Sequence, residues 1–120
     1  MRRLTCFVIV LCAVTLSAYG QATTVYLLRH AEKTEATMTR DVPLSDAGQA
    51  RAAAVAKLLA SAGITAIHST AYQRTQQTAA PLAEAYRLTV QPYDPSALGD
   101  FADMLREAPG THVVVGHSNT

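Results

Sequence analysis

Thr24-Val25-Tyr26-Leu27-Leu28 runs straight into Arg29 and His30, a nearly unbroken apolar stretch that ends on two cationic or near-neutral polar side chains. β-Branched and aromatic residues fit extended backbone, and a short run with no alternating polar face reads as a strand buried on both sides, the pattern of a parallel sheet. Parallel strands are joined by crossovers, so helical segments should follow. The polar stretch Ala31 to Pro43 reads as a loop, after which Ser45 caps a helix to about Ala62, stopped by Gly63. Ala54, Val55, Leu58, Leu59 and Ala62 form its apolar stripe.

The same alternation continues to the last residue. Ile64 to His68 is a second strand, and Ser69 or Thr70 can cap a helix from Ala71 that kinks or ends near Pro81. Leu88 to Gln91 is a third strand, followed by a Pro-rich loop and a helix from Ser96 to Glu107; His112 to Val115 is a fourth strand. Strands alternating with amphipathic helices specify an α/β domain, a mostly parallel sheet with helices on both faces. Gly116 to Thr120 fall where the next crossover should begin, so the expectation is that a C-terminal part of the domain is missing.

The 120 residues are 49% hydrophobic and 16% charged, a globular composition with room for one domain. Arg2 and Arg3 precede an uncharged apolar run from Leu4 to Leu16, and the small residues Ser17, Ala18 and Gly20 follow. That order reads as a secretory signal peptide over residues 1–20, with the domain over 21–120 and a secreted or periplasmic location. Both cysteines, Cys6 and Cys12, fall in the leader, so the exported domain would have no thiol chemistry. Loss of Arg2 and Arg3 moves the formal charge from +1 to −1. No basic surface then speaks for nucleic acid or an anionic membrane as partner.

In parallel α/β sheets ligands gather beyond the carboxyl ends of the strands. There the first strand runs into Arg29 and His30, the second into Ser69 and Thr70 with Arg74 one turn on, and the fourth into Gly116, His117 and Ser118. Arg29, His30, Arg74 and His117 should therefore converge on one sheet edge. Guanidinium forks match phosphate oxygens, and imidazole surrounded by cations stays neutral and nucleophilic. A helix capped by Ser69 would add its N-terminal amides to the same anion site. His68 and His112 read as structural, and Glu32 and Lys33 open the loop that follows the nucleophile.

Four ordered blocks carry a family resemblance: VYLLRHAEK (Val25 to Lys33), LSDAGQARA (Leu44 to Ala52), IHSTAYQRTQQTA (Ile67 to Ala79) and VVVGHSNT (Val113 to Thr120). Together they resemble the histidine phosphatase superfamily, the phosphoglycerate mutase-like fold. The resemblance implies a phosphatase of phosphomonoesters, with His30 as the nucleophile that forms a phosphohistidine, Arg29 and Arg74 as phosphate clamps and His117 as a donor to the transferring oxygens. It also implies a carboxylate acid between the third and fourth blocks. That window holds Glu84, Asp94, Asp100, Asp103 and Glu107, and Asp94, past a strand end, is best placed. The implied partner is a small phosphorylated substrate, and no metal or cofactor is implied. A non-catalytic phosphate-binding domain and a phosphomutase are the alternative readings.

Overall fold

The computed structural model describes residues 22–35 and 40–119; the leader assignment, and both cysteines, lie outside the described residues. The element order is β1 (Thr23–Arg29), α1 (Asp46–Leu58), β2 (Ala66–Ser69), α2 (Gln73–Tyr86), β3 (Val90–Pro92), α3 (Leu98–Glu107) and β4 (Gly110–Gly116). The strands form one sheet in the order β1-β4-β2-β3. Every pairing is parallel, as the sequence pattern requires.

Alternation along β4 divides the core between the two faces of the sheet. Val113 and Val115 pack with Ile67, Leu82, Ala79 and Leu59 under α1 and α2. Val114 points the other way, to Leu105 and Tyr93 beneath α3. Each fully buried Val, Leu or Ile contributes roughly 1.5–3 kcal/mol, so this double-faced strand is the centre of the fold. The register makes the carboxyl ends flush: Arg29 lies opposite Gly116, and Ser69 lies opposite both Val115 and Pro92. All four strands therefore deliver their following residues to one edge.

The structure corrects several local readings. β1 is not buried on both faces: it pairs only with β4, and Val25 is 43% and Leu27 60% exposed, along a shallow apolar groove shared with α3. The buried face of α1 is rotated from the expected stripe, with Gly48, Ala52 and Ala56 inside while Leu58 is 82% exposed. Close approach explains it, because a Cβ on Gly48 would stand 2.1 Å from the Glu32 carbonyl oxygen. That contact excludes a side chain only at the start of the helix; farther on, Val55, Leu59 and Ala62 of the expected stripe do reach the core, and the helix ends at Leu58 instead of Ala62.

Ser69 and Thr70 do not cap α2. That helix begins at Gln73 after Tyr72, whose side chain makes no capping bond, and the Asp41 carboxylate accepts from the Gln73 N–H at 2.8 Å in their place. Nor does Pro81 end the helix, which continues to Tyr86 because Ala79, Leu82 and Ala83 on either side of it are core residues. β2 starts at Ala66 and β3 at Val90, each two residues later than the sequence suggests. Ile64 is buried even so.

Candidate active site

His30 follows β1 and is tied to the sheet by its N–H, which donates to the Gly116 carbonyl at 3.0 Å. Its ring Nδ1 lies 2.7 Å from the Ala31 carbonyl oxygen. A carbonyl only accepts, so Nδ1 carries the proton and Nε2 keeps its lone pair in the neutral ring. The loop that fixes this ring is itself pinned to α2. The Ala31 N–H donates to Thr78 Oγ1 at 2.9 Å, and that hydroxyl donates to the Arg74 carbonyl at 2.7 Å. On the other side the Glu32 carbonyl accepts from the Ser45 N–H at 2.8 Å, where α1 begins.

His117 lies beside His30 with ring centroids 5.5 Å apart. Its Nε2 is 3.0 Å from Thr70 Oγ1, and Thr70 Oγ1 is 2.9 Å from Thr75 Oγ1. Thr75 Oγ1 also sits 2.9 Å from the Tyr72 carbonyl and 3.0 Å from that of Thr70, so its single proton goes to those obligate acceptors. Thr70 then donates to Thr75 and accepts from His117, which places a proton on Nε2. Burial holds the His117 pKa below the ordinary histidine value, and the nearby charges of Arg74, His30 and Arg29 push the same way. The free site therefore favours a neutral His117, and in each ring one hydrogen bond fixes which nitrogen donates.

Arg74 is the third member. Its guanidinium lies over the Tyr72 ring at 4.5 Å, and one terminal nitrogen donates to the Arg40 carbonyl at 3.1 Å. Its Nε is buried with no hydrogen-bond partner. A buried donor left open costs on the order of 1–3 kcal/mol, and an anion would satisfy it. Tyr72 also meets the His117 ring edge-on at 5.1 Å, so one aromatic ring orients both groups. Arg29 lines a cavity of about 320 Å³ together with His30, Glu32, Lys33 and Arg51. Glu32 there accepts from Arg51 Nε at 2.6 Å, and that bond lowers its pKa.

Arg29, His30, Arg74 and His117 are thus brought to one edge, and the remaining sequence candidates are not all with them. Ser69 is 1% exposed, donates to the Thr70 carbonyl and lines a separate cavity with Gln76, Val90 and Pro92. Asp94 lies past β3, where its carboxylate accepts from both the N–H and the hydroxyl of Ser96; those bonds lower its pKa. It lines a cavity next to the cation cluster, sharing Tyr72 and Pro95 with the one that Arg74 and His117 line. Glu84, Asp100, Asp103 and Glu107 are exposed on α2 and α3. His68 and His112 lie under α3, hydrogen-bonded to each other at 3.0 Å, and the His68 ring meets Phe101 edge-on.

Sequence reasoning passed over Tyr72 and the threonines 70, 75 and 78. A signal was present, since threonine inside an Ala-rich helix is unfavourable unless its hydroxyl has work to do, and α2 holds two.

The profile of the histidine phosphatase superfamily (branch 1) matches residues 25–95. No curated protein matches the chain. Among solved structures, SixA of Agrobacterium tumefaciens, assigned as a phosphohistidine phosphatase, is 28% identical with a TM-score of 0.69, over 80% of this chain and 70% of that one. A mycobacterial glucosyl-3-phosphoglycerate phosphatase in complex with inorganic phosphate is 29% identical with a TM-score of 0.54; the match covers 60% of this chain but only 35% of the enzyme. A SixA bound to tungstate shares the fold at 17% identity and a TM-score of 0.67.

Proposed function

Because this chain belongs to the histidine phosphatase superfamily, we propose that it hydrolyses phosphomonoesters through a phosphohistidine on His30. The observation that carries the proposal is the lock on that ring: Nδ1 donates to the Ala31 carbonyl, which leaves Nε2 as the nitrogen to attack phosphorus, and His117 lies beside it. A phosphoryl dianion would satisfy the Nε of Arg74, which has no partner among the described residues, and would offset the charge repulsion that adds to burial in lowering the His117 pKa. Stabilisation of charge by positioned donors is the main task in phosphoryl transfer, and these groups supply it.

Attack of Nε2 on phosphorus breaks the ester bond and forms the phosphoramidate, which water then hydrolyses to inorganic phosphate. Asp94 is the proposed donor to the leaving oxygen, since the other carboxylates between the third and fourth blocks line none of the cavities at the cluster. Its carboxyl must first leave Ser96, whose bonds favour the ionised form. The small phosphorylated substrate remains the proposed partner. Export, with cleavage near residue 20, is proposed from Arg2, Arg3 and the Leu4 to Leu16 run.

The test is turnover of p-nitrophenyl phosphate with trapping of the intermediate. The parent should give an acid-labile, base-stable phosphoryl adduct. His30→Ala should lose the adduct and at least about 10³ in rate while still binding phosphate. Activity within about tenfold of the parent would overturn the assignment, whereas phosphate binding without turnover in the parent would favour a non-catalytic phosphate-binding domain.

A further inference from the structure

The cation cluster opens on two sides of opposite character. On the nucleophile's side the cavity of about 320 Å³ carries Arg29, Lys33 and Arg51 against the single carboxylate of Glu32. On the other side, Tyr72, Arg74, Pro95 and His117 line a space of about 300 Å³. Across Tyr72 and Pro95 that space continues into a larger cavity of about 560 Å³, walled by Pro92 and Tyr93 and bearing two carboxylates, Asp41 and Asp94. Among the described residues, no lysine or arginine lines this larger cavity.

In-line displacement at phosphorus places the leaving group on the far side from the attacking nitrogen. The residues around His30 itself form the first cavity, so the departing group belongs on the side of Arg74, His117 and Tyr72. We propose that the cavity beyond Tyr72 and Pro95 is the leaving-group subsite, and that it selects neutral or cationic leaving groups with a flat apolar face over anionic ones. This rests on the phosphatase reading above and adds the substrate class. Tyrosine and proline walls bury flat apolar surface, with tyrosine keeping its polar tip available. Two carboxylates and no cation there attract an ammonium or a hydrogen-bond donor and repel a second phosphate or carboxylate. Asp41 has a second task, capping α2 through Gln73, so its charge stays fixed at the cavity wall.

The experiment measures binding to the full chain by calorimetry, using methylphosphonate and three benzylphosphonates that carry 4-aminomethyl, hydrogen or 4-carboxylate. None of these can be hydrolysed. The expected result is benzyl tighter than methyl, with the ammonium compound about tenfold tighter than the carboxylate and the unsubstituted one between them. Asp94→Asn, which keeps an acceptor for Ser96, should reduce the ammonium to carboxylate ratio by about threefold. Equal binding of methyl- and benzylphosphonate, or a carboxylate that binds as well as the ammonium, would overturn the subsite and move the substrate's remainder toward Lys33 and Arg51. Turnover of phenyl phosphate is followed in parallel. Its absence with the charge order intact would defeat the phosphatase reading and leave the subsite standing, and its presence with no charge order would do the reverse.

Discussion

At the scale of single residues, the site works by fixing which atom of an ordinary side chain carries a proton. His30 and His117 are each locked by one hydrogen bond, to a carbonyl and to a hydroxyl respectively. Asp94 is the opposite case, because Ser96 holds it ionised while the acid role needs it protonated. A poor leaving group needs that proton and a nitrophenolate hardly does. Asp94→Asn should therefore slow hydrolysis of an alkyl phosphate by at least about tenfold more than that of p-nitrophenyl phosphate, measured as kcat/KM on both. Equal slowing would show that it only shapes its loop. Gly48 is a residue of another kind, since any Cβ there collides with the Glu32 carbonyl. Gly48→Ala should cost about 1–3 kcal/mol in denaturant melts and, by shifting the loop behind His30, lower kcat as well. The cationic residues that meet at the sheet edge were legible in the sequence because strand ends announce them. Gly48 was not, because close approach of a helix to a loop leaves no periodic trace, and Leu58 at the far end of α1 gave a false one.

At the scale of elements, β2, β4 and α3 share a buried imidazole pair. His112 Nε2 lies 3.1 Å from the Ala108 carbonyl, so it donates there, and His112 Nδ1 accepts from His68 Nε2. Burial is the main cause that lowers the His68 pKa below 6.5, and the His112 charge adds to it. An unfolded chain binds that proton near pH 6.5 and the folded one only at lower pH. Stability is therefore complete above pH 6.5 and falls as the pH drops toward the folded value, by up to about 1.4 kcal/mol per pH unit. Melting temperatures from pH 8 to 5 should show this loss. His68→Leu should cost about 1–3 kcal/mol at pH 7.5, by stranding the His112 acceptor, and flatten the acid side. An unchanged slope in that variant would place the titration elsewhere. The sequence marked both histidines as structural without pairing them. Their contact depends on β2 and β4 being neighbours, and chain order alone gives no sign of that adjacency.

At the scale of the whole molecule, the alternation of strands and helices was enough to specify the α/β class, but not the order in which the strands lie. TVYLLRH reads as a central strand from its composition, yet β1 is an edge among the described residues, with α3 alone approaching one of its faces. The two kinds of apolar residue should separate cleanly in stability measurements. Leu82→Ala, at 1% exposure in the core under α2, should cost about 2–5 kcal/mol, and Leu27→Ala, at 60% exposure, less than about 1. Similar losses for both would mean that β1 is covered in solution. The strand order also governs when the site can come into being. Among the described residues β1 pairs only with β4, and the Thr23 hydroxyl reaches the Ala108 carbonyl across 85 residues. Contacts so distant along the chain form late and slowly. During synthesis, then, the nucleophile emerges early and waits with nothing to pair with, and the arginines and second imidazole can be gathered around it only after β4 has left the ribosome. Under the export proposed above, that delay would keep the chain unfolded, and its site unassembled, until it had crossed the membrane.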